Sequence, residues 1–340
     1  MVRPSKAAHS FMPAFIPSHI WPARLVGAKA GSLLAEPGFS GKVLAVLSTT
    51  IYLSGDDGEI LWVAPEEVPL HRRGLRASFQ PGSLRVGQGF FAQDSCLQIG
   101  PDAVIELDRA IEWEPPAVES EQAESLPVVN ACLQRLFAAL PVPGKAAGLG
   151  QAIPLIAAVA GGGGMTTFPL DSLIVLAFSP ILELVRASLG QDLAEVANRG
   201  RELVGLGPGL TPSGDDFLGG LLFAAHSLKR AYPGDFFWEQ EVITDLIDWA
   251  RTRTNPISHT VLSDLALGHG VEPLHDVVKS LLTGQDLRCL MAAVSRLLQT
   301  GHTSGWDILA GVLTGMLLVN GRLNLGKGLR IPRTWGSREC

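Results

Sequence analysis

The spacing of apolar and polar positions changes character near residue 120. Between Arg24 and Trp113, apolar residues come in short runs rich in Val, Ile and Leu, at 42–48, 50–53, 60–63 and 103–107. Short runs of this kind, bounded by Gly, Pro and Asp, predict strands, and the segment 54–58 (SGDDG) between two of them indicates a hairpin loop. We therefore expect a small, mostly antiparallel β-domain over residues 20–115.

From residue 125 to residue 325 the spacing becomes helical. Leu189, Leu193, Val196 and Leu203 share one face of a helix, which Gly205 would end. Similar periodicity predicts helices near 128–140, 171–189, 238–252, 272–282, 286–299 and 306–319. The acidic, proline-containing segment 114–124 is typical of a linker. The predicted fold class is α+β, a β-domain followed by a mainly α-helical domain at 125–325.

The segment 205–220 (GLGPGLTPSGDDFLGG) carries the densest chemistry in the chain. Ser213 followed three residues later by Asp216 predicts an N-cap with a capping box, so a helix should begin near Gly214. Glycine permits backbone conformations closed to other residues, so N–H groups from Gly207 to Gly214 could point at one anion beside the positive helix end. The candidate ligand-binding residues here are Gly207, Gly209, Thr211, Ser213 and Gly214. A purely structural tight turn is the alternative.

The adjacent carboxylates of this segment, Asp215 and Asp216, are expected to have different roles. Neighbouring residues project about 100° apart on a helix, so both cannot cap it. Asp216 is the capping candidate, which leaves Asp215 to bind a cation or a substrate amide, or only to favour the helix dipole. Both are candidate catalytic residues. The cofactor stays open: a divalent metal is a candidate, whereas no nucleotide-binding or biotin-carrier motif is present.

A second stretch, 301–313 (GHTSGWDILAGVL), repeats the pattern of the first. Ser213, Gly214, Asp216 and Gly220 fall on Ser304, Gly305, Asp307 and Gly311. We interpret this as an internal duplication covering about 166–225 and 254–316, against the alternative of two ordinary capping boxes. Interior glycine disfavours a helix by ~0.5–1 kcal/mol, so glycines at matching places indicate close backbone packing. Our hypothesis is a pseudo-two-fold axis that turns both helix starts toward one pocket.

The second copy supplies further candidates for the same pocket. Thr303, Ser304 and Asp307 are candidate substrate-binding residues, and His302 is a candidate acid or base. Asn255 and His259, near another expected helix start, complete the set. Either histidine can instead be structural.

Composition narrows the classes of partner. The net charge is -6, hydrophobic residues make up 46%, and no block of Lys and Arg stands out. A nucleic-acid backbone or an anionic membrane is therefore a poor partner, and no apolar run reaches the ~20 residues of a membrane span. Four scattered cysteines without metal-ligand spacing are typical of reduced thiols. We expect a cytoplasmic protein with a small anionic substrate.

Segments 205–220 and 301–311 together resemble a bacterial family that includes the AllH-type subunit of oxamate carbamoyltransferase. Some members have also been labelled putative carboxylases. The resemblance implies a role in purine nitrogen catabolism, in which a multi-subunit enzyme converts oxalurate and phosphate to oxamate and carbamoyl phosphate. It implies other subunits as partners.

The resulting hypothesis is a subunit of a carbamoyltransferase-like enzyme acting on small anionic amides. Two alternatives stay open. One is a non-catalytic subunit that binds a small anion or serves as a scaffold. The other is a metal-assisted enzyme using Asp215 and Asp216.

Overall fold

The chain is described here by a computed structural model, which covers residues 19–325 apart from residues 83, 102, 116, 162–171 and 239. It is an α+β protein of two compact units, one ending at Glu114 and the other beginning at Pro115. Residues 166–171 of the predicted first repeat copy lie outside the described residues. Each unit is built around its own apolar core.

The first unit is a sheet with one helix packed on it. Its helix is α1 (Ala28–Ala35), and its strands are β1 (His19–Gly27), β2 (Ser40–Val46), β3 (Ile51–Gly55), β4 (Ile60–Ala64), β5 (Gly74–Ala77), β6 (Gly89–Gln93), β7 (Cys96–Ile99), β8 (Ala103–Glu106) and β9 (Ile111–Trp113). Burial alternates along β3, whereas every residue of β4 is buried. The alternation follows from the two-residue side-chain period of a strand.

Eight of these strands close into a barrel, in the order β1, β5, β4, β3, β2, β6, β7, β8 and back to β1. Strand β1 closes the barrel by pairing with both β8 and β5, and it has a bulge between Ala23 and Leu25. Residues 19–22 of β1 pair in parallel with β8, and β1 pairs antiparallel with β5 from Ala23 onward, across the bulge. Strands β4 and β5 are also parallel, as are β1 and β9, so the sheet is mixed. The sequence pattern predicts mostly antiparallel pairing because it detects hairpins and carries no signal for parallel neighbours.

The second unit is helical. Its α-helices are α2 (Leu126–Ala139), α3 (Ile153–Ala160), α4 (Ser172–Leu189), α5 (Leu193–Gly200), α6 (Ser213–Ala231), α7 (Gln240–Ala250), α8 (Pro256–Ala266), α9 (Glu272–Leu282), α10 (Leu287–Leu297) and α11 (Ser304–Leu325), with 3₁₀ segments at Ser120–Gln122 and Lys145–Ala152. Among the described helices, α4 alone is long and apolar enough to cross a membrane, but half of it is buried inside the unit. Core helices of soluble proteins share this property.

Helices α6 and α11 form the centre of the unit and approach each other closely. A Cβ atom added at Gly220 would lie 2.2 Å from the carbonyl oxygen of Ile308, and one at Gly311 would lie 1.9 Å from that of Phe217. Real Cβ atoms do not come so near a backbone, so only glycine fits at either position. The packing therefore explains why both helices carry interior glycines despite their cost to helix stability.

Candidate functional site

The starts of α6 and α11 lie side by side. Thr211 Oγ1 in the glycine-rich loop is 3.1 Å from Ser304 Oγ at the start of α11. The Ser304 hydroxyl hydrogen-bonds to the Asp216 carboxylate, and the Ser213 hydroxyl hydrogen-bonds to the Asp307 carboxylate. The serine that begins each helix therefore hydrogen-bonds to the aspartate of the other helix.

This exchange overturns the predicted capping box. Helix α6 does begin where the sequence indicates, but Ser213 is its first residue, Pro212 precedes it as N-cap, and no side chain caps it. The N–H groups of Asp215 and Asp216 donate to the Pro212 carbonyl, and that of Gly214 donates to the Leu206 carbonyl. Backbone carbonyls thus satisfy the helix start, which frees the serine to turn toward the partner helix. The N–H of Gly214 is consequently not available to an anion.

Asp215 fastens the glycine-rich loop to helix α8. Its Oδ1 accepts a hydrogen bond from the Gly205 N–H at 2.7 Å, and its Oδ2 accepts one from the Ser258 hydroxyl at 2.6 Å and another from the Thr254 hydroxyl. The side chain is 2% exposed. Three protein donors therefore already occupy the carboxylate that the sequence leaves free for a cation or an amide.

Asp216 and Asp307 form a pair of buried carboxylates. They are 2% and 0% exposed, and the Oδ2 atom of each has no hydrogen-bond partner. Burial raises the pKa of Asp216 well above its usual value, and the neighbouring charges of Asp307 and Asp215 raise it further, while Ser304 and Thr211 act in the opposite direction. Burial also raises the pKa of Asp307 to about 6, against hydrogen bonds from Thr303, Ser213 and two backbone N–H groups. The site therefore favours protonated carboxyl groups.

A segment that the sequence did not single out covers Asp307. The Leu149 N–H donates to Asp307 Oδ1 at 2.6 Å. Gly148, with φ +52°, brings its backbone so close that an added Cβ would lie 2.4 Å from the same oxygen, and a Cβ at Gly150 would lie 2.7 Å from Trp306 Cβ. The only signal in the sequence was the Gly-Leu-Gly spacing at 148–150, which the glycine-rich loop repeats at 205–207.

The glycine-rich loop itself needs its glycines. Gly205, Gly207 and Gly209 have φ values of +76°, +116° and +101°, a region that other residues enter at a cost. Gly207 packs against Ser213, whereas no atom lies within 4 Å of a Cβ built at the exposed Gly209. Asn255 holds the loop through a bond of 2.8 Å from its Nδ2 to the Leu210 carbonyl. The loop is therefore anchored at its base and open at its tip.

The two candidate histidines occupy different environments. His302 is exposed and precedes α11, beside the half-buried Thr303 and Ser304. His259 Nε2 lies 3.1 Å from the Ile247 carbonyl in α7, and burial lowers its pKa. Asn255, which caps α8 by accepting from the Ser258 N–H at 3.1 Å, also has a structural task. The helix starts thus gather Thr211, Ser213, Ser304 and the acid pair, while His259 is turned toward α7.

Among the described residues, no group of three or more His, Cys, Asp or Glu side chains is placed to hold a metal ion. The pair Asp215 and Asp216, suggested by sequence for that purpose, is divided between two environments. Asp215 faces α8, and Asp216 faces α11.

In this α+β protein, the starts of two glycine-containing helices, α6 and α11, surround a pair of buried carboxyl groups. The family model described as oxamate carbamoyltransferase subunit AllH matches residues 203–316, about a third of the chain. That range spans both helix starts and confirms the resemblance seen in the two sequence motifs. No solved structure matches the chain.

Because Asp307 is buried, we expect the unfolding free energy of the protein to depend on pH. Its pKa is raised to about 6 in the folded protein, whereas an unfolded aspartate titrates near 3.9. Between these values the folded state binds more protons than the unfolded state, so stability contributed by this group is full below about pH 4 and falls as the pH rises through about 6. The loss amounts to ~3 kcal/mol.

Asp307→Asn keeps an oxygen for the Leu149 N–H and removes the titration. We expect the difference in unfolding free energy between wild type and D307N to change by that amount between pH 4 and pH 7. Denaturant unfolding at several pH values measures it. A difference that stays constant with pH would contradict the raised pKa.

Proposed function

We propose that the chain is a subunit of a carbamoyltransferase-like enzyme that transfers a carbamoyl group between oxalurate and phosphate in purine nitrogen catabolism, with other subunits as partners. The family match over both helix starts supports this proposal. We place its action in the cytoplasm, where the free thiols of Cys96, Cys132 and Cys289 would stay reduced.

One observation supports the position of the site most strongly, the contact between Thr211 and Ser304 that joins the two motifs. Around it lie the half-buried Thr303 and the exposed His302 and Gly209. Among the described residues, the N–H groups of Gly207 and Gly209 have no protein acceptor. These donors, together with the hydroxyls, suit phosphate or a small carboxylate.

Charge stabilisation is the main requirement of carbamoyl transfer. Preorganised N–H and hydroxyl donors aimed at a developing charge lower the barrier without a nucleophilic side chain. In our proposal Gly207, Gly209 and Thr211 hold the anion, and Thr303 with His302 closes the opposite side. Asp215 then acts indirectly, because it fixes the base of the loop.

We further propose that the two helix starts descend from an internal duplication. The residue correspondence from sequence maps several contacts of one copy onto contacts of the other. The matched contacts are Ser213 to Asp307 with Ser304 to Asp216, Gly220 to Ile308 with Gly311 to Phe217, and Gly214 to Leu203 with Gly305 to Leu297. The caps of α5 and α10 also match, since Asp192 and Asp286 each accept the N–H three residues later. Reciprocal contacts of this kind support a pseudo-two-fold axis between α6 and α11.

The proposed anion site can be tested at Gly209. An alanine there meets no neighbour but must adopt φ +101°, which costs ~1–3 kcal/mol of local strain and should move the loop tip. We expect Gly209→Ala to raise the KM for phosphate at least ~10-fold in phosphate-dependent oxalurate cleavage by the chain assembled with its partner subunits.

Gly58→Ala is the matched control, because Gly58 has φ +86° and equally open space but lies in the β-barrel unit. Equal effects of the two substitutions on KM would place the anion elsewhere. Activity of the chain without partners would show that it is catalytic by itself. Lack of cleavage in the complete assembly would reject the proposed reaction.

A further inference from the structure

Two buried carboxylates beside the same pair of helix starts have to be balanced electrostatically. The negative charges of Asp307 and Asp215 both disfavour a charge on Asp216. An ionised carboxylate without a partner is strongly disfavoured in a protein interior. Some positive charge or a proton must therefore balance the pair.

The helix starts supply part of that balance. An α-helix carries roughly half a positive charge at its N-terminus, so α6 and α11 together offset about one negative charge. Backbone N–H groups of Leu149 and Gly150 add donors on the Asp307 side, and hydroxyls of Ser304 and Thr211 add donors on the Asp216 side. These groups suit one ionised carboxylate but not two, and a cation would be repelled by the two positive helix ends.

The unpartnered oxygens point to the same balance. Oδ2 of Asp216 and Oδ2 of Asp307 are both buried and both lack a hydrogen-bond partner. A carboxyl group that keeps its proton is a donor, and an ionised neighbour is an acceptor. With one proton, the pair therefore consists of one protonated donor and one ionised acceptor.

The pair is connected to the surface by hydroxyl groups. Ser304 acts on Asp216 and lies 3.1 Å from Thr211, and both hydroxyl-bearing residues are half-buried. A hydroxyl can donate and accept at the same time, so it can pass a proton without changing its own charge. The pair itself is closed to solvent, so protons would enter and leave through these two side chains.

We propose that Asp216 and Asp307 share one proton at neutral pH and exchange it with the bound substrate through Ser304 and Thr211. This inference rests on the proposed function. A phosphate oxygen forms its bond to the carbamoyl carbon as the bond from that carbon to the amide nitrogen breaks. The leaving nitrogen takes the proton of the pair through the hydroxyls. The proton lost by phosphate replaces it, so the pair ends the reaction as it began.

The shared proton can be measured without any substrate. The full chain is labelled at the aspartate carboxyl carbons, and their NMR shifts are followed from about pH 3 to pH 8. We expect at least one carboxyl to titrate at about pH 6 or above, as a coupled pair does. This titration should disappear or move to lower pH in both Asp216→Asn and Asp307→Asn.

Asp286→Asn is the control, because Asp286 is an exposed cap of α10. It should leave the high-pH titration unchanged. Ser304→Ala, which keeps both carboxyl groups, should move the titration to still higher pH, because the Ser304 hydroxyl lowers the pKa of Asp216. The inference is overturned if no carboxyl titrates above about pH 5, or if either pair variant leaves the titration in place.

A second measurement separates proton transfer from a structural role. In the assembled enzyme, Asp216→Asn should lower kcat by ~100-fold or more and flatten the pH dependence of kcat/KM. An unchanged pH profile would overturn the role in proton transfer. If the assembly cleaves no oxalurate at all, the proposed function fails, whereas the carboxyl titration still decides whether the acid pair holds a proton.

Discussion

Gly311→Val is expected to unfold the helical unit or to lower its unfolding free energy by ~4–5 kcal/mol. A Cβ at Gly311 would lie 1.9 Å from the Phe217 carbonyl and 2.9 Å from the Leu221 nitrogen. Both neighbours are backbone atoms of α6, which cannot rotate away as a side chain can. The two central helices would have to separate, and such overpacking is among the few changes with effects this large. Denaturant unfolding followed by helical circular dichroism measures the loss.

The glycine positions also permit a stricter comparison. Gly311→Ala and Gly220→Ala both raise helix propensity by ~1 kcal/mol, so an increase in stability would follow from propensity alone. We expect both to destabilise, and the double variant to lose less than the sum because both act at one crossing. Gly234→Ala meets no atom within 4 Å and should be nearly neutral. A stable Gly311→Ala variant would show that the helices are farther apart than described.

Asp215→Ala is expected to cost ~4 kcal/mol of stability and to loosen the glycine-rich loop. The substitution removes the acceptor of three hydrogen bonds, from Gly205, Thr254 and Ser258. Each donor left buried without a partner costs ~1–3 kcal/mol. Asp215→Asn keeps one acceptor oxygen and should lose less. Hydrogen exchange should show faster exchange of the Gly205 amide in both variants.

Asp286→Ala is the control with which the destabilisation by Asp215→Ala is compared. Its carboxylate also accepts a backbone N–H at a helix start, at 2.8 Å, but on an exposed residue. We expect the loss of this exposed cap to destabilise the protein less than the loss of the buried acceptor at Asp215. If Asp215→Ala were no more destabilising than this control, Asp215 would not be the anchor of the loop, and a direct role toward a ligand would regain its place.

The sequence predicted the helices better than the barrel. Helix α9 begins and ends at the predicted residues 272 and 282, because a 3.6-residue apolar period is strong over three turns. Strand β1 was not predicted, since its segment contains Pro22 and pairs with strands more than 50 residues away. Local patterns report local pairing, so the closure of the barrel had no signature.

The candidate site was likewise predicted only in part from the sequence. The positions of the two helix starts followed from Ser213 and Ser304 with the aspartates three residues later. The hydrogen-bond partners of those side chains could not be predicted. A capping box within one helix and an exchange of hydrogen bonds between two helices have the same sequence pattern. Helix geometry likewise predicted different roles for Asp215 and Asp216. The three hydrogen-bond donors of Asp215 could not be predicted, because they lie 10, 39 and 43 residues away along the chain.

The pairing of β1 with two distant strands has a consequence for biosynthesis. Strand β1 must pair with β5 and with β8, so the barrel remains open until about residue 106 has been made. During that interval the edges of β1 and of the growing sheet have no partners, and free edges invite pairing between chains. The unpaired edges of the growing chain are therefore open to aggregation until β8 has been made, which is before any helix of the second unit.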